Sequence, residues 1–201
     1  MKKIILIIFL SVTCTAFSQV IINADAATAK TTPSSATSVL LEFGDDNNKG
    51  IILPYVETVP TFGGSAAKGG TLIFDISTTT ENPNGEFKVK VKNENDTGWT
   101  DLNGESGYSA TVATIVQTPQ ANPLVDAPNA KAIIGATNST SDGVLVLEAT
   151  NKAMILPIVD NYTNILNPSP GMMAFLKGAT VDKHRLIVFN GKTWAFWAAN
   201  P

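Results

Sequence analysis

Ser65-Ala66-Ala67-Lys68 has the S-x-x-K spacing in which a lysine one helical turn away can take a serine's proton for acyl transfer. That chemistry needs the serine at the start of a buried helix. Gly63 and Gly64 precede it and Gly69 and Gly70 follow, a run that disfavours helix, so a loop is expected here. Lys192-Thr193 matches only part of the companion K-T-G element, and no S-x-N element is evident. His184 is the single histidine, set among Asp182, Lys183 and Arg185. Such a charged turn suits a solvated ring better than the buried base of a Ser-His-Asp arrangement. One histidine and one cysteine, Cys14, also argue against a zinc site. Asp45-Asp46-Asn47-Asn48-Lys49-Gly50 looks like a calcium loop, but Lys49 and Val56 stand where EF-hand spacing needs oxygen ligands. Asn93 to Gly98 also lacks its closing Glu, and both segments read more simply as hairpin turns. No catalytic, cofactor-binding or metal-ligating residue is expected, and the chain is read as a non-enzyme.

The aromatic residues are better candidates, because exposed rings stack on sugar faces or anchor a protein partner. Trp197, Phe196, Tyr162 and Tyr108 are the candidate ligand or partner contacts, lying at the C-terminus or near turns. Trp99 and Trp194 recur at matched places in an internal likeness and are expected to plug the ends of their own β-units.

That likeness organises the chain. Val39-Leu40-Leu41-Glu42 and Lys49-Gly50-Ile51-Ile52-Leu53-Pro54 return as Leu145-Val146-Leu147-Glu148 and Lys152-Ala153-Met154-Ile155-Leu156-Pro157. Gly70 to Phe74 returns as Gly171 to Phe175, and Val89 to Trp99 as Leu186 to Trp194. The offset falls from 106 at Leu41 to 95 at Trp99, and it changes only in Gly-, Asn-, Asp-, Thr- or Pro-rich segments. Exposed turns tolerate such length changes and strands do not. The expected fold is all-β: two related small β-rich units of four to five short strands, covering 19–102 and 132–201. A Pro-containing linker, 103–131, joins them, and its alternating piece Ala110 to Val116 is expected to add one strand. Phe87, Val89 and Val91 alternate with Lys88, Lys90 and Lys92, implying one dry and one wet face. Ile51-Ile52-Leu53 and Leu72-Ile73-Phe74 are apolar throughout and are expected to lie centrally. Val20-Ile21-Ile22 and Ala132-Ile133-Ile134 read as lead-in strands, and Asp160 to Leu166 as a helical turn.

Residues 1–18 read as a signal peptide: Lys2 and Lys3, an apolar stretch Ile4 to Val12, then Ala16-Phe17-Ser18 before the cut. Nine residues are too few for a span, which takes about 20. Thr13 and Ser11 depart from what acylation of Cys14 would ask, so the mature chain is expected to carry no thiol, no disulfide and no transmembrane span. Cleavage takes two of the 14 basic residues and none of the 17 acidic ones, deepening the formal charge from −3 to −5. Phosphate backbones demand a Lys/Arg footprint, so nucleic acid is not an expected partner. A charged fraction of 15% beside 44% hydrophobic residues also argues against general disorder.

Thr31-Thr32-Pro33-Ser34-Ser35-Ala36, Val39 to Glu42 and Lys49 to Pro54 together resemble repeats in secreted surface proteins of Bacteroidetes-type bacteria, with related segments in phage tail fibres. The later half of that pattern, P-x-x-G followed by Y-N-G-T-x-W, is similar to Pro168 to Gly171 and to Phe189-Asn190-Gly191-Lys192-Thr193-Trp194. Two features depart from it. The Arg that follows the motif's Pro is Tyr55 in one copy and Ile158 in the other, and a Thr/Gly-rich loop replaces the polar helix in the first. The resemblance implies an exported, surface-associated β-rich module, with fibres and adhesive surfaces as its settings. The expected function is therefore a secreted or cell-surface structural or adhesive protein, its partners a second copy of itself or a surface protein or glycan. The alternative is a carbohydrate-binding accessory module using the C-terminal aromatics.

Overall fold

The computed structural model describes residues 20–22, 38–43, 48–59, 69–93, 98–120, 130–141, 143–180 and 183–197. The expected signal peptide, Cys14, the Ser65–Lys68 run, Asp45 to Asn47 and residues 94–97 lie outside that set. Among the described residues the fold is mostly β, with fourteen short strands in four small sheets and one short helix.

In chain order the strands are β1 (Val20–Ile22), β2 (Val39–Phe43), β3 (Ile51–Ile52), β4 (Tyr55–Val56), β5 (Leu72–Asp75), β6 (Lys88–Lys92) and β7 (Trp99–Asp101). After helix α1 (Ala110–Gln120) come β8 (Ala132–Ile134), β9 (Leu145–Leu147), β10 (Ala153–Ile155) and β11 (Ile158–Val159). A 3-10 turn, Tyr162–Asn164, precedes β12 (Met172–Leu176), β13 (Arg185–Phe189) and β14 (Trp194–Trp197). Both lead-in segments are strands, each pairing in parallel with the strand that follows it: β1 with β2, and β8 with β9.

Two strand paths dominate. One runs β4-β5-β6-β7 and the other β11-β12-β13-β14, each with one parallel and then two antiparallel pairings. In the first, Leu72 faces Val91, Phe74 faces Val89 and Lys92 faces Trp99. In the second, Met173 faces Val188, Phe175 faces Leu186 and Phe189 faces Trp194. The Phe74 N–H donates to the Pro54 carbonyl and the Phe175 N–H to the Pro157 carbonyl, each at 2.9 Å. A parallel pair needs a crossover, which between β11 and β12 occupies residues 160–171.

The halves are hydrogen-bonded to each other. Strand β3 pairs antiparallel with β12, Ile52 opposite Met172, while β10 pairs in parallel with β2, Met154 opposite Leu41. The Tyr55 hydroxyl donates to the Pro170 carbonyl at 3.0 Å. The larger core gathers Leu53, Phe74, Phe87 and Val89 from the first half with Met173 and Val188 from the second. Strand pairing and core therefore both cross the segment read as a linker. Gly171 fits where these parts meet: its φ is +74°, and a Cβ there would lie 2.9 Å from Phe74 Cβ. Only glycine takes that backbone and that approach without strain.

Three expectations are corrected. Ala110 to Val116 is helix, not strand. Val112, Ala113 and Val116 turn into the core while Ile115 is 53% exposed, and the Ser109 hydroxyl caps the first turn by accepting the Val112 N–H at 3.2 Å. Residues 112 and 116 satisfy an alternating and a helical period equally; burial of the adjacent Ala113 decides for the helix. Of Ile51-Ile52-Leu53, Ile52 does not lie centrally: β3 is two residues long and Ile52 is half exposed, while Ile51 packs against the larger core and Leu53 is buried in it. The lysine face of β6 is not simply wet. Lys90 contacts the buried Asp75 at 2.7 Å, Lys88 contacts Asp101 at 3.0 Å, and Lys92 is itself buried. Opposing carboxylates let the Lys88 and Lys90 stems pack down while their charges stay paired, and Lys92 Nζ donates to the Asn93 carbonyl at 2.6 Å.

Glu86, beside this array, accepts hydrogen bonds from the Thr79 hydroxyl (2.9 Å) and Asn82 Nδ2 (3.0 Å). Burial alone would raise its pKa. The two hydrogen bonds and the Lys90 and Lys88 charges outweigh that and hold it below the ordinary 4.5. A depressed carboxyl contributes stability that is present above its unfolded-state pKa and lost as pH falls through its folded-state pKa. The urea midpoint should therefore fall on acidification below about pH 4.5. In Glu86→Gln the fall should be shallower, so that the two proteins converge at low pH; parallel curves would contradict this.

Candidate functional site

The β12-β13-β14 sheet separates two apolar clusters. Met173, Leu186, Val188 and Ala195 face the large core, whereas Met172, Ala174, Ile187, Phe189 and Trp194 face a smaller cluster closed by Val159 and Ile165. The 160–165 segment lies over that second cluster because Val159 and Ile165 anchor it at both ends. Between them Asn161 caps the 3-10 turn, its side-chain oxygen accepting the Thr163 N–H at 3.1 Å. The cap fixes the place from which Tyr162 projects.

Tyr162 meets Phe196 edge to face, with centroids 5.2 Å apart and planes at 77°. It also tilts over Trp194 at 6.3 Å, and Trp194 in turn packs against Phe189 at 5.3 Å. Four rings thus run along one side of β13-β14. The inner two are half-buried, while Tyr162 and Phe196 remain 36% and 42% exposed.

The outer pair borders an open cleft of about 410 Å³, completed by Asp160, Asn161, Lys183 and Arg185 over a floor that includes Leu176. Gly178 (φ +64°) turns the chain after β12, and the Lys183 N–H closes the return by donating to the Thr180 carbonyl at 2.9 Å. Arg185 Nε donates to the Lys183 carbonyl at 3.2 Å, which holds the guanidinium stem beside the cleft. The exposed lining is mostly apolar, from the rings and from side-chain stems, and Asp160, Lys183 and Arg185 add charge to it, which suits a polar ligand that has one apolar face.

The four aromatic candidates fall in three places. Tyr162 and Phe196 are brought together. Trp197, 45% exposed, follows Phe196 on the same strand, and strand alternation sends it to the opposite face of the sheet. Tyr108 is remote from the cleft and packs edge-on against Phe87 at 5.5 Å. Trp99 and Trp194 are half-buried at the ends of their strand paths. His184 is exposed and lies edge-on to Phe175 at 6.1 Å. Among the described residues no three His, Cys, Asp or Glu side chains are grouped to hold a metal ion, and no helix is long and apolar enough to cross a membrane.

Asp160, Asn161, Lys183 and Arg185 were not singled out as contacts in the sequence, where they read as a helical turn and a solvated charged turn. The available signal was the alternation of Arg185, Ile187 and Phe189, which puts the arginine on the same face as the ring pair's support. Comparison with protein-family models, with curated proteins and with solved structures finds no match for this chain.

Proposed function

We propose that this chain is an exported, non-enzymatic surface or fibre-type protein with a structural or adhesive role, acting through the loops and edge strands of an interlocked β scaffold. The observation that carries this reading is the matched pair of strand paths, equal in order and direction but joined by loops of different composition. Such a design spends its apolar residues on a rigid frame and leaves variation to the tips. The basic, apolar and small-residue leader over residues 1–18 and the likeness to secreted repeats support export. A second reading, a carbohydrate-binding accessory module, is favoured by the ring-lined cleft at Tyr162 and Phe196.

Protease shaving of intact cells tests the surface role, and light scattering of the mature chain tests the fibre form. The protein should be removed by shaving and should form defined oligomers or polymers. A protein fully protected inside shaved cells would sink the surface role. A strictly monomeric chain would discard the fibre form and leave the adhesive one.

A further inference from the structure

We propose that the cleft between Tyr162 and Phe196 binds an anionic saccharide, one sugar ring lying on the aromatic pair and its carboxylate or sulfate facing Lys183 and Arg185. This rests on the carbohydrate-binding reading and adds the class of ligand. Sugar rings have an apolar face of C–H groups and an equatorial rim of hydroxyls, so a site for them needs an aromatic surface beside polar groups. Tyr162 and Phe196, set at 77°, form an angled wall and not a face-to-face stack that would hide their surfaces. Both stay more than one-third exposed although Trp194 and Phe189 support them from behind.

The wall is pre-organised. Phe196 sits on β14, in register with Ile187 of β13, and Tyr162 sits on a turn whose N-terminus Asn161 caps. Little side-chain entropy remains to be lost on binding, which matters for a shallow site with modest contact area. A cleft of about 410 Å³ is in the lower part of the size range for small-ligand sites and is open enough to take the end or side of a polymer.

Charge selects the kind of saccharide. The chain is acidic overall, at −3, so two cations beside the rings are a local feature and not part of a general positive field. A guanidinium favours carboxylate or sulfate oxygens over hydroxyls, through charge-assisted hydrogen bonds. Asp160 lies on a different element from the two cations, on the β11 side of the cleft. It polarises the site: hydroxyls belong at the 160–161 side, the anionic group at the 183–185 side.

The test uses the mature chain against immobilised glycans bearing uronate, sialate or sulfate, each beside its methyl-esterified or desulfated neutral counterpart. At least one acidic glycan should bind tenfold or more tightly than its neutral form, with the preference shrinking as salt is raised. The uronate and sulfate arms say which anionic group is taken. Phe196→Ala should weaken the bound glycan tenfold or more, Arg185→Gln should remove the acid-over-neutral preference, and Trp197→Ala, on the other face, should change neither. Both cleft positions are at least partly exposed, and an unchanged thermal midpoint verifies that each variant folds. Equal binding of acidic and neutral glycans, lost in Phe196→Ala, overturns the charge assignment but keeps the carbohydrate reading. Binding that survives Phe196→Ala overturns the site, and no binding across the panel overturns both. Cell-surface location is measured separately and stands or falls on its own.

Discussion

Phe74→Ala is expected to cost about 3–5 kcal/mol of stability, a large share of what a domain of this size has to lose. Phe74 is fully buried, and its ring meets Tyr55 at 5.6 Å and Phe87 at 6.2 Å, both edge to face. Its Cβ also abuts the Gly171 backbone from the other half. Removing the ring leaves a cavity bounded by β-strands from both halves, which cannot collapse without disturbing the β3–β12 pairing. Urea unfolding of both proteins measures the loss. A cost below about 1.5 kcal/mol would mean that the site relaxes and that Phe74 is not a keystone.

Gly107→Ala should be nearly as damaging, for the opposite reason. A Cβ at position 107 would overlap the Asn190 carbonyl oxygen, so the conflict is with backbone and no rotamer relieves it. The contact is also where loop and turn are most closely tied. The Gly107 N–H donates to the Phe87 carbonyl at 3.0 Å, and Asn190 Nδ2 donates to the Glu105 carbonyl at 3.2 Å. The oxygen of that same Asn190 side chain accepts the Lys192 and Thr193 N–H groups at 2.9 and 2.8 Å, forming the turn before Trp194. Forcing the 103–108 loop away breaks this array, at an expected cost of about 3 kcal/mol. Thermal unfolding and the near-ultraviolet signal of the tryptophans report it. A variant with wild-type midpoint and spectrum would show that the loop and the turn do not need each other.

Local pattern made much of the β structure legible. Leu72-Ile73-Phe74, the Val89-Val91 alternation and Arg185 to Phe189 each became strands, because a run of apolar or alternating residues has few other ways to bury itself. The helix at Ala110 was not legible, since Val112 and Val116 fit two periods and only the tertiary environment chose between them. Nor was the exchange of β3 and β10 between halves. Ile51-Ile52 and Met154-Ile155 have equivalent local sequences, so nothing local says which partner either will pair with. The cleft was half legible. Aromatic type marked Tyr162 and Phe196, but their meeting depends on the crossover that carries Tyr162 back over β14, and that meeting is what places Lys183 and Arg185 on the same cleft.

Native-state hydrogen exchange at the amides of Phe74 and Phe175, each bonded at 2.9 Å to the carbonyl of the Pro that immediately precedes the parallel partner strand, tests most directly whether the halves form one scaffold. Both amides should open with the same free energy, and the mild core change Val89→Ala should lower both by the same amount. If Val89→Ala lowers protection at Phe74 and leaves Phe175 untouched, the halves fold independently and the interlocked scaffold is contradicted.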